Sequence, residues 1–199
     1  MKKIIMSAVA ALAVGSAMAW SPIGIGIVAP AQFPYMTSDV YGLRLNAIFG
    51  CSENVYGIDL GLAGAATGCE YGLQCGLFDV VYGDAAGLQL AGLSYNGGEF
   101  AGLQISAFGN WNGLSTYGVQ VSLVNADQTE FRGLAFGGLD FADSVVGAQI
   151  GGINLAESVN GLQLGIVNVC DKMKGIQLGL VNMITSSKLP VMVLANVWF

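Results

Sequence analysis

The chain contains no histidine, and only 10% of its 199 residues are charged. Without histidine there is no Ser-His-Asp or Cys-His arrangement and no imidazole metal ligand. A Gly-x-Ser-x-Gly elbow is missing as well. Ordinary globular domains carry about 25% charge, so this surface is expected to be apolar enough for membrane contact or self-association. Basic residues are scarcest: seven lysines and arginines stand against thirteen acids. Two of the seven, Lys2 and Lys3, open a leader, and without them the balance is five against thirteen, or −8. Nucleic-acid binding needs clustered Lys and Arg to displace counterions from phosphates, so that class of partner is excluded. No catalytic constellation, cofactor site or metal site can be assembled, and the chain reads as non-enzymatic.

Residues 1–19 read as a signal peptide. Lys2 and Lys3 precede the apolar stretch "IIMSAVAALAVGSAMA", which ends in the small-x-small site Ala17-Met18-Ala19. Cleavage there leaves a chain beginning at Trp20. Spanning a bilayer as a helix takes about 20 apolar residues, and this core is shorter. Beyond it the chain has no second long apolar run free of glycine and polar punctuation. Residues 20–199 are expected to form a single β-repeat domain.

What the sequence has in abundance is glycine, at a fixed period. Gly42, Gly57, Gly72, Gly87, Gly102, Gly118, Gly133, Gly147, Gly161 and Gly175 are separated by 15, 15, 15, 15, 16, 15, 14, 14 and 14 residues. With each of these as position zero, position one is always apolar, from Leu43 to Ile176, and so is position three. Position two is glutamine in Gln74, Gln89, Gln104, Gln120, Gln149, Gln163 and Gln177, with Arg44, Asp59 and Ala135 as exceptions. Position six is apolar throughout, and position seven is often Asn or Asp. Alternation of this kind is a strand signal, glycine so dense is costly in helices, and a fifteen-residue unit is too short for βαβ. The fold class is all-β. Ten repeats fill residues 40–187, a degenerate first strand occupies 20–35, and a terminal capping strand occupies 189–199. The degenerate copy, "PIGIGIVAP", also matches a loose dinucleotide fingerprint, but Pro30 and Pro34 stand where the required helix would open.

Arrays of "GLQLGIVN" and "GIQLGLVN" (Gly161–Asn168 and Gly175–Asn182), together with "DVYGLRLNAIFGCSENVYGIDLGL" (Asp39–Leu62), resemble a family of bacterial surface repeat proteins. The likeness covers Trp20 to Asn182. It implies an exported protein at a cell surface and transfers no catalytic residue.

Two architectures suit the repeat. In a β-solenoid, slightly favoured, each repeat is one coil stacked about 4.8 Å from the next. Positions one, three and six, with the apolar residue two before each glycine (Val55, Phe100, Phe131, Val145, Val159, Met173), then point inward. The glycines lie at corners, and the glutamine column runs as an amide ladder along one face. In a closed antiparallel barrel of the outer-membrane type, each repeat is one spanning strand of about nine residues. Uniform loop lengths favour the coil. The end "LPVMVLANVWF", with Val191, Val193, Ala195 and Val197 leading to Phe199, favours the barrel or else caps a coil.

The turns carry Glu53, Glu70, Asp84, Glu99, Glu130, Asp143, Glu157 and Asp171. Their oxygens suit a hard cation such as calcium, while a solvated charged edge explains them without a ligand. Of the four cysteines, Cys51 and Cys69 are one coil apart and able to pair, Cys75 is expected buried at position three, and Cys170 lies rungs away. The tyrosines and Trp20, Trp111 and Trp198 suit either an interfacial girdle or stacking along a coil. The functional expectation is an exported structural or adhesive protein at the outer membrane or cell surface of a Gram-negative-type bacterium, or in its periplasm. Its partners would be envelope components or further copies of itself. An outer-membrane pore or anchor is the alternative that accompanies the barrel.

Overall fold

The computed structural model describes residues 19–198. Residues 1–18 and the terminal Phe199 lie outside the described residues, and with them the expectations placed on a signal peptide and on a C-terminal phenylalanine.

Each repeat pairs in parallel with the next, in register. In β3 (Asp39–Ser52) and β4 (Val55–Ala66), Tyr41 faces Tyr56, Gly42 faces Gly57 and Leu43 faces Ile58. The same register continues through β5 (Glu70–Cys75), β7 (Ala85–Asn96) and β8 (Phe100–Asn112), with Gly57 on Gly72, Gly72 on Gly87 and Gly87 on Gly102. From Thr116 to Ile184 the chain stays extended without a break, and this β9 winds through the last five repeats. Parallel neighbours one repeat apart make a β-solenoid. In an up-and-down barrel, neighbours run antiparallel, so the barrel alternative is overturned.

The second half of the third repeat shows the unit of one coil. β5 runs from two residues before the glycine to three after it. A corner follows at Gly76–Leu77, then β6 (Phe78–Val81), then the turn Tyr82–Asp84. The glycine is itself a corner. All ten repeat glycines have φ between 123° and 146°, a region closed to side chains. A Cβ at Gly118 would sit 1.9 Å from the carbonyl oxygen of Gly102. The column of glycines is therefore required twice over, by torsion and by the close approach of the rung below.

The bend decides what faces in, and it corrects the expected core. Gln163 is 0% exposed while its neighbour Leu164 is 40% exposed. The glutamines at position two lie inside, with the small residues of position four and the Asn or Asp of position seven. The apolar residues of positions one, three and six point outward. Val55, Phe100, Phe131, Val145, Val159 and Met173 do face in, as expected. The reason is parity: positions one and three lie opposite position two on an extended strand, so leucines and glutamines cannot share the interior. In an in-register parallel stack each amide meets its own copy one rung away, which satisfies it; an amide buried without a partner would cost a few kcal/mol.

Both ends are closed. β1 (Trp20–Val28) is the degenerate copy, parallel to β3 with Ile23 on Leu43 and Ile25 on Leu45. β2 (Ala31–Phe33) turns back antiparallel onto it, and no helix follows as a dinucleotide site would need. Gln32 of β2 donates to the Cys51 carbonyl and accepts from the Cys51 N–H at 2.9 Å. At the far end β10 (Val191–Trp198) lies antiparallel along the last rung, with Asn196 opposite Gln177 and Val197 opposite Ile176. Asn196 continues the inward amides, and Val197 and Ala195 continue the outward apolar columns, so the alternation that favoured a barrel is that of a cap. The four prolines, Pro22, Pro30, Pro34 and Pro190, all fall in these end segments. Proline lacks the N–H that a further strand would use.

The torsions give a direct test. Gly118→Ala is expected to cost about 2 kcal/mol or more, a fall of roughly 4–8 °C in Tm for a chain this long. Gly109 has no such torsion, and its Cβ would meet only the flexible Leu93 Cδ2 at 3.3 Å and the Val124 carbonyl at 3.6 Å. Gly109→Ala should leave Tm within about 2 °C. Equal losses at the two positions would contradict the bend.

Candidate functional site

Four inward columns fill the coil, at two before the glycine and two, seven and nine after it. In the glutamine column, Gln89 donates to Gln74 at 2.8 Å, Gln104 to Gln89 at 3.0 Å and Gln120 to Gln104 at 3.2 Å. After Ala135 the ladder resumes, with Gln163 donating to Gln149 at 2.9 Å and Gln177 to Gln163 at 2.8 Å. All seven glutamines of the predicted column are thus brought together in two runs. The interruption has a packing reason: Ala135 belongs to an apolar cluster with Phe131 and Val145, where a longer side chain would compete with the Phe131 ring. The acceptor Oε1 of Gln120, at the break, has no partner.

A second ladder runs at position seven, or at position eight for Asn110, where a bulge adds one residue. Asn110 donates to Asn125 at 2.9 Å and Asn125 to Asp140 at 2.7 Å; beyond Asp140, Asn154 donates to Asn168 at 2.7 Å and Asn168 to Asn182 at 2.8 Å. A third polar column, Asn96, Asn112 and Asp127, braces the middle of the rod. Gln89 and Asn96 exchange two bonds of 3.0 Å across the interior. Asp127 Oδ1 accepts from Asn112, Thr116 and Gln120 at 2.9, 2.6 and 3.1 Å. Toward the C-terminal end this column gives way to Ala142, Cys170 and Ile184, and the core there becomes apolar.

Two of the three exceptions in the glutamine column form the one buried ion pair among the described residues. Arg44 and Asp59 occupy successive rungs and meet in a bidentate pair, Nε to Oδ1 at 2.8 Å and Nη2 to Oδ2 at 2.5 Å. Arg44 Nη1 also donates to the Ala65 carbonyl at 2.9 Å. Glu70 and Asp79 follow just beyond. Glu70 was expected at a solvated turn; it stands two before Gly72 and is turned inside, with neither carboxyl oxygen partnered. Burial, then the nearby Asp59 charge, pushes its carboxyl well above the usual range. The same two causes push Asp79 up to about 7. Opposite-charge exceptions on adjacent rungs, Arg44 and Asp59, were the sequence signal for this cluster; the inward turn of Glu70 had none.

The other turn acids do line one edge of the coil. Asp84 accepts from the Glu99 N–H at 2.9 Å, so these side chains tie one turn to the next. Among the described residues no group of three or more His, Cys, Asp or Glu side chains converges at metal-binding spacing. Cys51 and Cys69 do not face each other: Cys51 pairs with Ala65 on one side of the coil and Cys69 sits in a turn, and both are free thiols. Cys75, expected buried, is exposed, because position three points outward; Cys170 is buried. On the outside, a shallow groove of about 450 Å³ is bordered by Leu77, Leu90, Ile105 and Phe108, with no titratable side chain. Tyr41, Tyr56 and Tyr71 stack along the rod, with ring centroids 4.7 and 5.6 Å apart, and Trp20 meets Tyr41 edge-on at 6.1 Å.

No family model, no curated protein and no solved structure matches the chain.

The interior acids set a pH dependence of unusual sign. Burial lifts Asp127 and Asp140 to about 6, as it lifts Asp79 to about 7. Unfolded carboxyls titrate near 4, so between pH 4 and 7 the folded chain holds more protons than the unfolded one. Their stabilising effect is full below about pH 4 and is lost as pH rises through 6 to 7. Asp140 shows why: its Oδ2 and the Asn154 Oδ1 are both unpartnered, and only a protonated carboxyl can donate across that gap. Tm is expected to be higher at pH 5 than at pH 8. Asp140→Asn, whose amide can donate at any pH, should raise Tm at pH 8 and flatten the profile. A loss of stability in that variant at pH 8 would contradict the ladder. Asp59→Ala, which strands Arg44, should cost about 3–5 kcal/mol in urea unfolding.

Proposed function

We propose that the protein is an exported, non-enzymatic component of a Gram-negative-type cell envelope, held at the outer membrane or surface, with a structural or adhesive role. The observation that carries this reading is that the repeated outer face keeps one chemistry over ten rungs, while the polar groups that could do chemistry are mostly locked in ladders inside. A rod of stacked coils offers a long surface. Its end strands run antiparallel to the rungs, so a further coil could not continue the parallel stack in register, which suits a unit of fixed length rather than a fibre. The leader of residues 1–19 and the resemblance to bacterial surface repeat proteins support export.

The test is fractionation of cells expressing the full chain, with the N-terminus of the recovered protein determined by mass. Recovery in the envelope or medium with the chain beginning at Trp20 is expected. Recovery in the cytoplasm with residues 1–19 intact would overturn the reading.

A further inference from the structure

The order of side chains around one coil is not random. At positions one, three, five and six, no residue in any of the ten repeats is charged or carries a side-chain oxygen or nitrogen. These columns cover one side of the coil and the corner beyond it. Along that corner Leu62, Leu77, Phe108, Leu123, Ile166 and Leu180 stand 46–63% exposed, as a ridge parallel to the axis. On one border of the apolar zone, just before the glycine, run Tyr41, Tyr56, Tyr71 and Tyr117. On the other, eight past the glycine or its bulged equivalent, run Tyr95, Trp111 and Phe141. Beyond both borders lie the turns with Glu53, Asp84, Glu99, Glu130, Asp143, Glu157 and Asp171. The charged residues of the coils are inside, on this turn side, or, for Arg132 and Lys174, exposed in the border column of the tyrosines.

The order around the circumference is thus acidic turn, a border of tyrosines with Arg132 and Lys174, apolar zone, a border with Tyr95, Trp111 and Phe141, and acidic turn again. That is the order of an interface between water and hydrocarbon, where Tyr and Trp take the boundary. A protein partner is a poorer fit. Protein interfaces fix register with roughly one hydrogen bond per 100–200 Å², and this zone offers no side chain to make one. A second copy packed face to face would cover one flat side and leave the convex ridge in water. Ten rungs at about 4.8 Å give a rod longer than the roughly 30 Å hydrocarbon core, so it suits lying along a membrane rather than across it.

We propose that the rod lies flat on a lipid leaflet, with its ridge of positions five and six sunk into the acyl chains and its acidic edge in water. This names the partner of the outer face and rests on the envelope reading above. Attachment is by apolar burial alone. The rod lacks a basic patch, so binding does not require anionic headgroups and does not weaken with salt.

The experiment is flotation of the purified chain from Trp20 onward with phosphatidylcholine vesicles in a density gradient. This chain holds every described rung and both end strands, and omitting the leader removes a segment that would enter lipid by itself. The protein should float with the vesicles in 0.1 M and in 1 M NaCl alike. Leu123→Glu with Ile166→Glu, both outward, should reduce flotation at least tenfold with the far-UV spectrum unchanged; Glu99→Gln should float as before. Three results would overturn the proposal: protein left at the bottom of the gradient, flotation indifferent to the ridge variants, or a stable dimer in analytical ultracentrifugation that the ridge variants dissociate. None of these bears on where the cell sends the protein, which fractionation reads separately.

Discussion

Everything in this rod depends on side-chain amides stacked in register inside a parallel coil. A glutamine taken from water into an apolar interior is costly unless both its N–H and its oxygen find partners. A parallel stack supplies them without further design, because residue i of one rung stands over its counterpart in the next. Gln74 to Gln120 and Asn154 to Asn182 use this directly. The glycine bend is the second half of the same device. Only at φ near +140° can the chain turn the corner between the apolar column and the glutamine column while its rungs stay in contact.

Filling the interior with amides has a consequence for the surface. Positions one and three are then forced outward, and the largest apolar side chains of the repeat remain in contact with the surroundings. The stabilisation a soluble fold draws from burying such groups, roughly 25 cal/mol per Å², is left available to whatever covers the outer face. The ends show the opposite treatment. β2 and β10 turn back antiparallel onto the terminal rungs, so the parallel in-register stack stops there while the sides repeat unchanged.

Much of the architecture was legible in the sequence, and the particular failures are instructive. Ten glycines at a regular spacing marked the repeat and its phase, while a parallel coil and an antiparallel barrel both suited that spacing. The strict alternation of Gly161-Leu162-Gln163-Leu164 fixed which residues share a face. It could not say which face is inside, since alternation is symmetric between the two, and the usual preference for buried leucine gave the wrong answer. The small residues at position four and the paired apolar residues at positions five and six were the available clues. A small residue fits the inner side of a tight corner, and two successive outward residues mark its outer side. Arg44 and Asp59 were visible as exceptions, but their meeting required knowing that position two is interior. Cys75 was misplaced by the same inversion.

The natural cysteines test that inversion without any mutation. Cys75 stands in the outward leucine column, whereas Cys170 is buried and its thiol is pushed up to about 11 by burial. Native protein treated briefly with a small maleimide at pH 7, then digested and weighed, should carry the label on Cys75 and on Cys170 only after denaturation. Labelling of native Cys170 with Cys75 protected would mean that the leucines face inward, and the amide-filled coil would have to be abandoned.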